Sequence, residues 1–264
     1  MNRIDLTFQR LKKDNKTAFI GFVTAGDPDL ATTEKLVLGL ERAGVDIVEL
    51  GVPFSDPLAD GKTIQAASER ALAGGVTTEK VFALVKALRR QTDIPIALMA
   101  YYNPIFHYGH AKYIQRAQEC GVDGLIIPDL PPEEAGPLKR LADQSEIATV
   151  FFMSPTTTPE RMKLIAKHST GFIYFVSLTG VTGARAKIPA AIKSQIAMAK
   201  SITDKPVCIG FGISTPEQIK DLAKTADGVI VGSAIINEIV KHTTSPDLVA
   251  RVERFVSKLT APLK

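Results

Sequence analysis

The sequence predicts an α/β protein, a closed (β/α)8 barrel with an extra N-terminal helix, and three observations carry that expectation. Apolar runs of strand length alternate eight times with segments of helical apolar spacing along 264 residues. The strand runs are continuous rather than alternating, as happens when helices cover the sheet. A faint repeat also recurs: AGVDIVELG (43–51), CGVDGLIIP (120–128) and TADGVIVGS (225–233) each end a helix, open a strand with Asp and run apolar. No GxGxxG follows the first strand, which removes the main support for an open dinucleotide-binding sheet. The length fits a single barrel domain, 1–264.

Each element has its own warrant. Ile4, Leu6, Phe8 and Leu11 give residues 2–14 a helical stripe that can plug one end of the barrel. The first strand, 18–26, ends in the turn signal Gly26-Asp27-Pro28, and the helix from Asp29 stops at Gly44. Strand two is 45–52, followed by helices at 62–73 and 78–90. Strand three is expected at 94–103, its helix at 110–121, strand four with its loop at 122–131 and its helix at 132–144. Strand five (146–155) precedes a helix at 158–169, and strand six (171–180) precedes a glycine-bearing loop and a helix at 188–202. Strand seven (205–214), a helix (215–226), strand eight (227–235) and a last helix (245–259) complete the pattern.

Composition narrows the class. The apolar fraction of 45% and charged fraction of 23% describe an ordinary globular chain, and the net charge of +4 comes from scattered Lys and Arg that form no nucleic-acid patch. No apolar run approaches the roughly 20 residues of a membrane span, and the amphipathic N-terminus lacks a signal core, so a cytoplasmic location is expected. Cys120 and Cys208 match no metal or redox spacing and read as buried thiols. Asp46, Asp123 and Asp227 fall at strand starts, where barrel residues serve stability.

Three clusters fall at the carboxyl ends of strands, where barrels build active sites. The first is VELGVPFSDPLADG (48–61), with Glu49 at a strand end and Asp56 and Asp60 on a proline-stiffened loop. A strand has little reason to bury Glu49, whereas paired carboxylates can do acid/base work; the alternative for Asp56 and Asp60 is Asx turns beside their prolines. The second is SLTGVTGARAK (177–187), a mobile lid or a plain surface loop. The third joins GFGIS (210–214) to Gly232-Ser233, glycine-rich turns after strands seven and eight, the frequent phosphate site of this fold. No ligand spacing or strand lysine calls for a metal or a Schiff base. The residues therefore point to metal-free carboxylate chemistry on a phosphorylated small molecule.

VELGVPFSDPLADG, with FVTAGDP (22–28), TGVTGAR (179–185) and GFGIS, resembles the tryptophan synthase alpha chain family from the first strand to the last. That resemblance implies retro-aldol cleavage of indole-3-glycerol phosphate to indole and glyceraldehyde 3-phosphate. It implies no cofactor in this chain and a β chain partner, in an α2β2 heterotetramer, that uses pyridoxal phosphate to join indole to serine. By the same match Glu49 and Asp60 are catalytic: Glu49 moves protons, and Asp60 holds the indole N–H. Gly183, Gly212, Gly232 and Ser233 would hold the phosphate, and Thr182 would close the lid onto Asp60. Phe22, Ile64, Tyr174 and Phe211 would line the indole pocket, and Pro53, Asp56 and Asn103 would meet the β chain. Lys62 departs from the family pattern, which favours an uncharged residue, often proline. Three other readings compete: a self-sufficient lyase, a regulatory subunit that only binds the ligand, and a phosphosugar isomerase. Retention of Glu49 and Asp60, and the loop around them, argues against the last two.

Overall fold

The computed structural model describes residues 2–176, 190–210 and 212–264. Among them, parallel strands β1 (Ala18–Thr24), β2 (Ile47–Gly51), β3 (Ile96–Met99), β4 (Gly124–Ile126), β5 (Ala148–Val150), β6 (Phe152–Met153), β7 (Ile173–Val176), β8 (Val207–Gly210) and β9 (Gly228–Val231) form one sheet. The order is β5-β4-β3-β2-β1-β9-β8-β7-β6. The two outermost strands are consecutive in the chain with Phe151 alone between them, so β5 and β6 are halves of one strand and the sheet closes on itself. Tyr174 N donates to Phe151 O at 3.0 Å across that seam. The eight-strand barrel expectation holds, with strand five split because its first half pairs with β4 and its second with β7.

The helices are α1 (Arg3–Lys13), α2 (Leu30–Arg42), α3 (Lys62–Ala73), α4 (Thr78–Leu88), α5 (Tyr102–Tyr108), α6 (His110–Cys120), α7 (Gly136–Gln144), α8 (Pro159–His168), α9 (Ala190–Ile202), α10 (Pro216–Leu222), α11 (Ser233–Lys241) and α12 (Leu248–Thr260). The strand expected over 205–214 stops at Gly210, the helix after it ends at Leu222 rather than 226, and three further expectations need correction. Strand three stops at Met99, and Tyr102–Tyr108 is helical because Pro104 falls in the first turn, where no N–H is needed. Strand four is only Gly124–Ile126, and the helix expected from 132 starts at Gly136, after turns through the Pro131-Pro132 segment. Strand eight ends at Val231, and Ser233 opens α11, whose Ile235, Ile236 and Ile239 form a buried helical stripe.

Two cores flank the sheet. One lies between strands and outer helices, and the other fills the barrel, where Ala18, Ile20, Ile47, Ala97, Ile126, Val150 and Ile230 meet Ile4, Phe8 and Leu11 of α1. Helix α1 thus plugs the amino-terminal end, and a Cβ on Gly124 would lie 2.9 Å from Ile4. The three strand-opening aspartates stitch that end. Asp46, Asp123 and Asp227 each donate a backbone N–H to the carbonyl of Phe19, Ile96 and Val207, all at 2.9 Å. Their carboxylates take the N–H of the same three residues in return, at 2.9, 2.8 and 2.9 Å. Cys120 and Cys208 are both buried free thiols.

Candidate active site

The site is built at the carboxyl end of β2 and its neighbours. Within β2 the parity of a strand sends Ile47 and Glu49 into the barrel, and register sets Glu49 between Phe22 of β1 and Ala97 of β3. Glu49 is 1% exposed, and neither carboxyl oxygen has a hydrogen-bond partner among the described residues. Burial, reinforced by the charge of Asp60, pushes its carboxyl up to about 8. A carboxyl kept so costly and unpartnered is a group held for a ligand rather than for the fold.

Asp60 sits on the β2–α3 loop, half-buried. Burial raises it to about 6, while a hydrogen bond from the Tyr101 hydroxyl pulls the other way. The same hydroxyl accepts from Ala59 N at 2.9 Å, and Gln65 Nε2 donates to the Asp60 carbonyl at 2.7 Å. The two carboxyls therefore differ: at neutral pH Glu49 is mainly protonated and Asp60 mainly ionised.

Phe22 is buried, and its ring lies where a Cβ on Gly51 would stand, 2.7 Å from Cζ. Tyr174 covers Gly210 in the same way, with 2.9 Å to Cε1, and packs on Phe152 with ring centroids 4.8 Å apart. Glycines on the adjoining strands thus let two aromatic rings lie flat against the barrel wall. Ile64, half-buried on the first turn of α3, packs against the outer core.

On the far side of Phe22, β9 ends at Val231; the next residue, Gly232, caps α11, and Ser233 is the first residue of that helix. The N–H groups of Ser233 and Ala234 have no intrahelical acceptor, so this end of α11 can receive an anion. β8 pairs with β9 as far as Gly210 with Ile230, and Gly212 and Gly232 each follow that pair by two residues at the same end of the barrel. Gly212 has φ +52° and open space around it. The cradle and the carboxyls lie on opposite sides of Phe22.

The structure thus brings Glu49, Asp60, Phe22, Tyr174, Gly212, Gly232 and Ser233 to one end of the barrel. Thr182, Gly183 and Phe211 lie outside the described residues. Asp56 and Asn103 are exposed, whereas Pro53 is buried. Lys62 is the exposed first residue of α3, and its charge has no ion pair among the described residues to explain it. Sequence reasoning passed over Tyr101 and Gln65. Only the chain's return over β3 gives Tyr101 a polar role; Gln65, four residues after Gly61 on a helix start, was the one readable signal.

A cavity of about 790 Å³ opens at the opposite end, beside α1 and the starts of β7, β8 and β9. Of its lysines, Lys12 and Lys200 lie in the last turns of α1 and α9, where cations complement helix carbonyls. Lys200 is also paired with Asp227 at 2.7 Å. In barrels of this kind that end serves stability, and active sites are built at the other.

The comparisons agree with this geometry. The family model for the tryptophan synthase alpha chain matches residues 8–263. Among curated relatives, the tryptophan synthase alpha chain of Geotalea daltonii is 50% identical over 99% of this chain and 98% of its own length. That of Geobacter sulfurreducens is 48% identical over 98% of each. The solved alpha subunit from Legionella pneumophila superposes with a TM-score of 0.93 at 40% identity, covering 100% of this chain and 98% of that one. A tryptophan synthase chain from M. tuberculosis gives 0.89 at 31% identity, covering 100% of both. Matched by the family model along nearly its whole length and sharing the barrel of these proteins, the chain belongs to the tryptophan synthase alpha chain family.

Proposed function

We propose that Glu49 and Asp60 divide the work of cleaving indole-3-glycerol phosphate, the lyase reaction of tryptophan synthase alpha chains and of this chain among them. The observation that carries the assignment is the buried, unpartnered and mainly protonated Glu49 beside an ionised Asp60. The protonated Glu49 delivers its proton to indole C3, which makes the ring a cation. Asp60 accepts the indole N–H and stabilises that charge. The Glu49 carboxylate then takes the proton of the glycerol hydroxyl beside the scissile bond. The carbon–carbon bond breaks, its electron pair returns to the ring, and indole leaves with glyceraldehyde 3-phosphate. One carboxyl acts first as acid and then as base, so its proton is restored each turnover. Positioned groups of this kind contribute about 10²–10⁴-fold each.

The substrate fits the three parts of the site. The ring lies between Phe22 and Tyr174, with Ile64 and Phe211 at its edge. The phosphate takes the α11 N-terminus with Gly212, Gly232, Ser233 and Gly183, and Thr182 closes the loop over Asp60. The chain acts as one domain and needs no cofactor of its own.

The partner is a β chain carrying pyridoxal phosphate, in an α2β2 assembly. Support comes from the rim formed by the β2–α3 loop and α5, where Leu58 is 91% and Phe106 63% exposed beside exposed Asp56 and Asn103. Pro53, being buried, would shape that loop from beneath. No helix among the described residues is long and apolar enough to cross a membrane. A cytoplasmic site of action accords with the chemistry.

Glu49→Gln should fold yet release indole from indole-3-glycerol phosphate at least 10²-fold more slowly, with or without β chain. Near-parental turnover by that variant would sink the assignment. For the parent, kcat/KM should be bell-shaped, rising as Asp60 ionises near 6 and falling as Glu49 loses its proton near 8.

A further inference from the structure

We infer that Tyr101 is the positioning residue that holds Asp60 toward Glu49, gripping the β2–α3 loop at both of its ends. The inference rests on the proposed role of Asp60 and goes beyond it, by naming what aims that carboxylate and keeps it ionised.

Tyr101 is well placed to grip. It follows β3, is buried, and caps α5. The next residue is fixed too, because Tyr102 N donates to Asp129 Oδ1 at 2.8 Å. The loop it faces has much less support: Ser55, Asp56, Leu58 and Ala59 are all exposed. At the loop's start the Tyr101 ring stacks on Phe54, with centroids 5.3 Å apart and planes inclined by 30°. At its end the hydroxyl accepts from Ala59 N at 2.9 Å and lies beside the Asp60 carboxylate, whose charged form it favours. A phenol has one proton to give and lone pairs to receive, so accepting from Ala59 N leaves the proton for Asp60.

Gln65 adds a second hold of a different kind. Its amide reaches the Asp60 carbonyl, fixing main chain and leaving the carboxylate untouched. The two contacts separate chemically: Gln65 places the residue, whereas Tyr101 also favours its charged form. Tyr101 does not compete with substrate, since an ionised carboxylate accepts about four hydrogen bonds.

Among the described residues the charged and titratable groups around Asp60 are few. Glu49 faces it from β2, Tyr101 from β3 and Tyr174 from β7, and on its own loop Asp56 and Lys62 point to solvent. Burial and the Asp60 charge raise Tyr101 above the usual phenol range, so it remains a donor throughout the working pH. Of these groups, Tyr101 alone among the described residues favours the charged form of Asp60.

The test is Tyr101→Phe, which keeps the ring on Phe54 and removes only the hydroxyl. Carbon-detected NMR titration of the Asp60 carboxyl, assigned by its loss in Asp60→Asn, should show its midpoint rising by about one pH unit. The acid limb of kcat/KM for indole-3-glycerol phosphate, measured with β chain, should move up equally, with about a tenfold loss at pH 6. Gln65→Leu should lower kcat/KM and leave the NMR midpoint in place. An unmoved Asp60 midpoint in Tyr101→Phe, or an equal rise in Gln65→Leu, overturns the inference. A parent chain that releases no indole would instead overturn the proposed function, and the NMR titration reads independently of it.

Discussion

Replacing Glu49 by Gln should change stability in a pH window that the structure defines. In the unfolded chain the carboxyl titrates near 4.5, and in the folded chain near 8. A raised folded value means that the native state prefers the protonated form. The stabilising contribution of that proton is complete below 4.5 and is lost as pH rises through 8. At about 1.4 kcal/mol per pH unit the whole span is on the order of 5 kcal/mol. Water entering as the carboxylate forms makes this an upper bound. Gln carries no titrating proton, so the variant lacks this slope while every other group titrates as before. Relative to its parent, Glu49→Gln should therefore gain stability between pH 5 and pH 9 by several kcal/mol, roughly 10 °C in melting temperature for a chain of this size. Urea unfolding followed by circular dichroism at pH 5, 7 and 9 reads the difference directly. A stability gap that stays constant across the window would mean that Glu49 is hydrated or paired in the folded protein, and the reasoning about its proton would fail.

Two further outcomes follow from close contacts. Gly51→Ala sets a Cβ 2.7 Å from Phe22 Cζ, so the ring must tilt into the pocket. KM for the indole substrate should rise several-fold with about 1–3 kcal/mol of destabilisation, and Phe22→Leu in the same chain should recover most of the stability by calorimetry. Arg89→Met removes the nearer cation of the buried Asp123 carboxylate, at 2.6 Å, and leaves it the more exposed Arg3 at 3.1 Å, so it should cost about 1–3 kcal/mol in urea unfolding. Because that pair lies at the plugged end of the barrel, kcat of the folded enzyme should stay within about twofold.

Much of the fold was legible because burial on both faces of a sheet forces uninterrupted apolar runs, and helix spacing between them is distinctive. The helix over 62–73 was read to the residue, since Gly61 and Gly74 bracket it. The unforeseen helices had local signals pointing the other way. Tyr101 and Tyr102 favour extended chain, and it is the cap from Asp129, distant in sequence, that lets Pro104 serve as a first-turn residue of α5. In GVIVGSAIINEIV, the apolar residues run past the strand's end, and Gly232 is the sole mark of where strand gives way to helix. Within the site, Glu49 stood out because its parity and burial conflict with its charge. Tyr101 raised no such conflict, since a buried aromatic after a strand looks like ordinary core until a loop folds back over it.

The three aspartate stitches bear on how such a chain finds its register. Each joins two consecutive strands whose bonded residues are 27, 27 and 20 positions apart, so it closes within a single strand-helix-strand unit. A slip of one residue would break both bonds of a stitch and turn every side chain of the strand to the wrong face. Each unit therefore carries its own alignment gauge and can be set correctly while the rest of the barrel is still open. The pairing of Ala18 with Gly228 is different, because nearly the whole chain lies between its partners. Closure inherits its accuracy from short-range locks already in place, and the long search is reduced to joining edges whose register is settled.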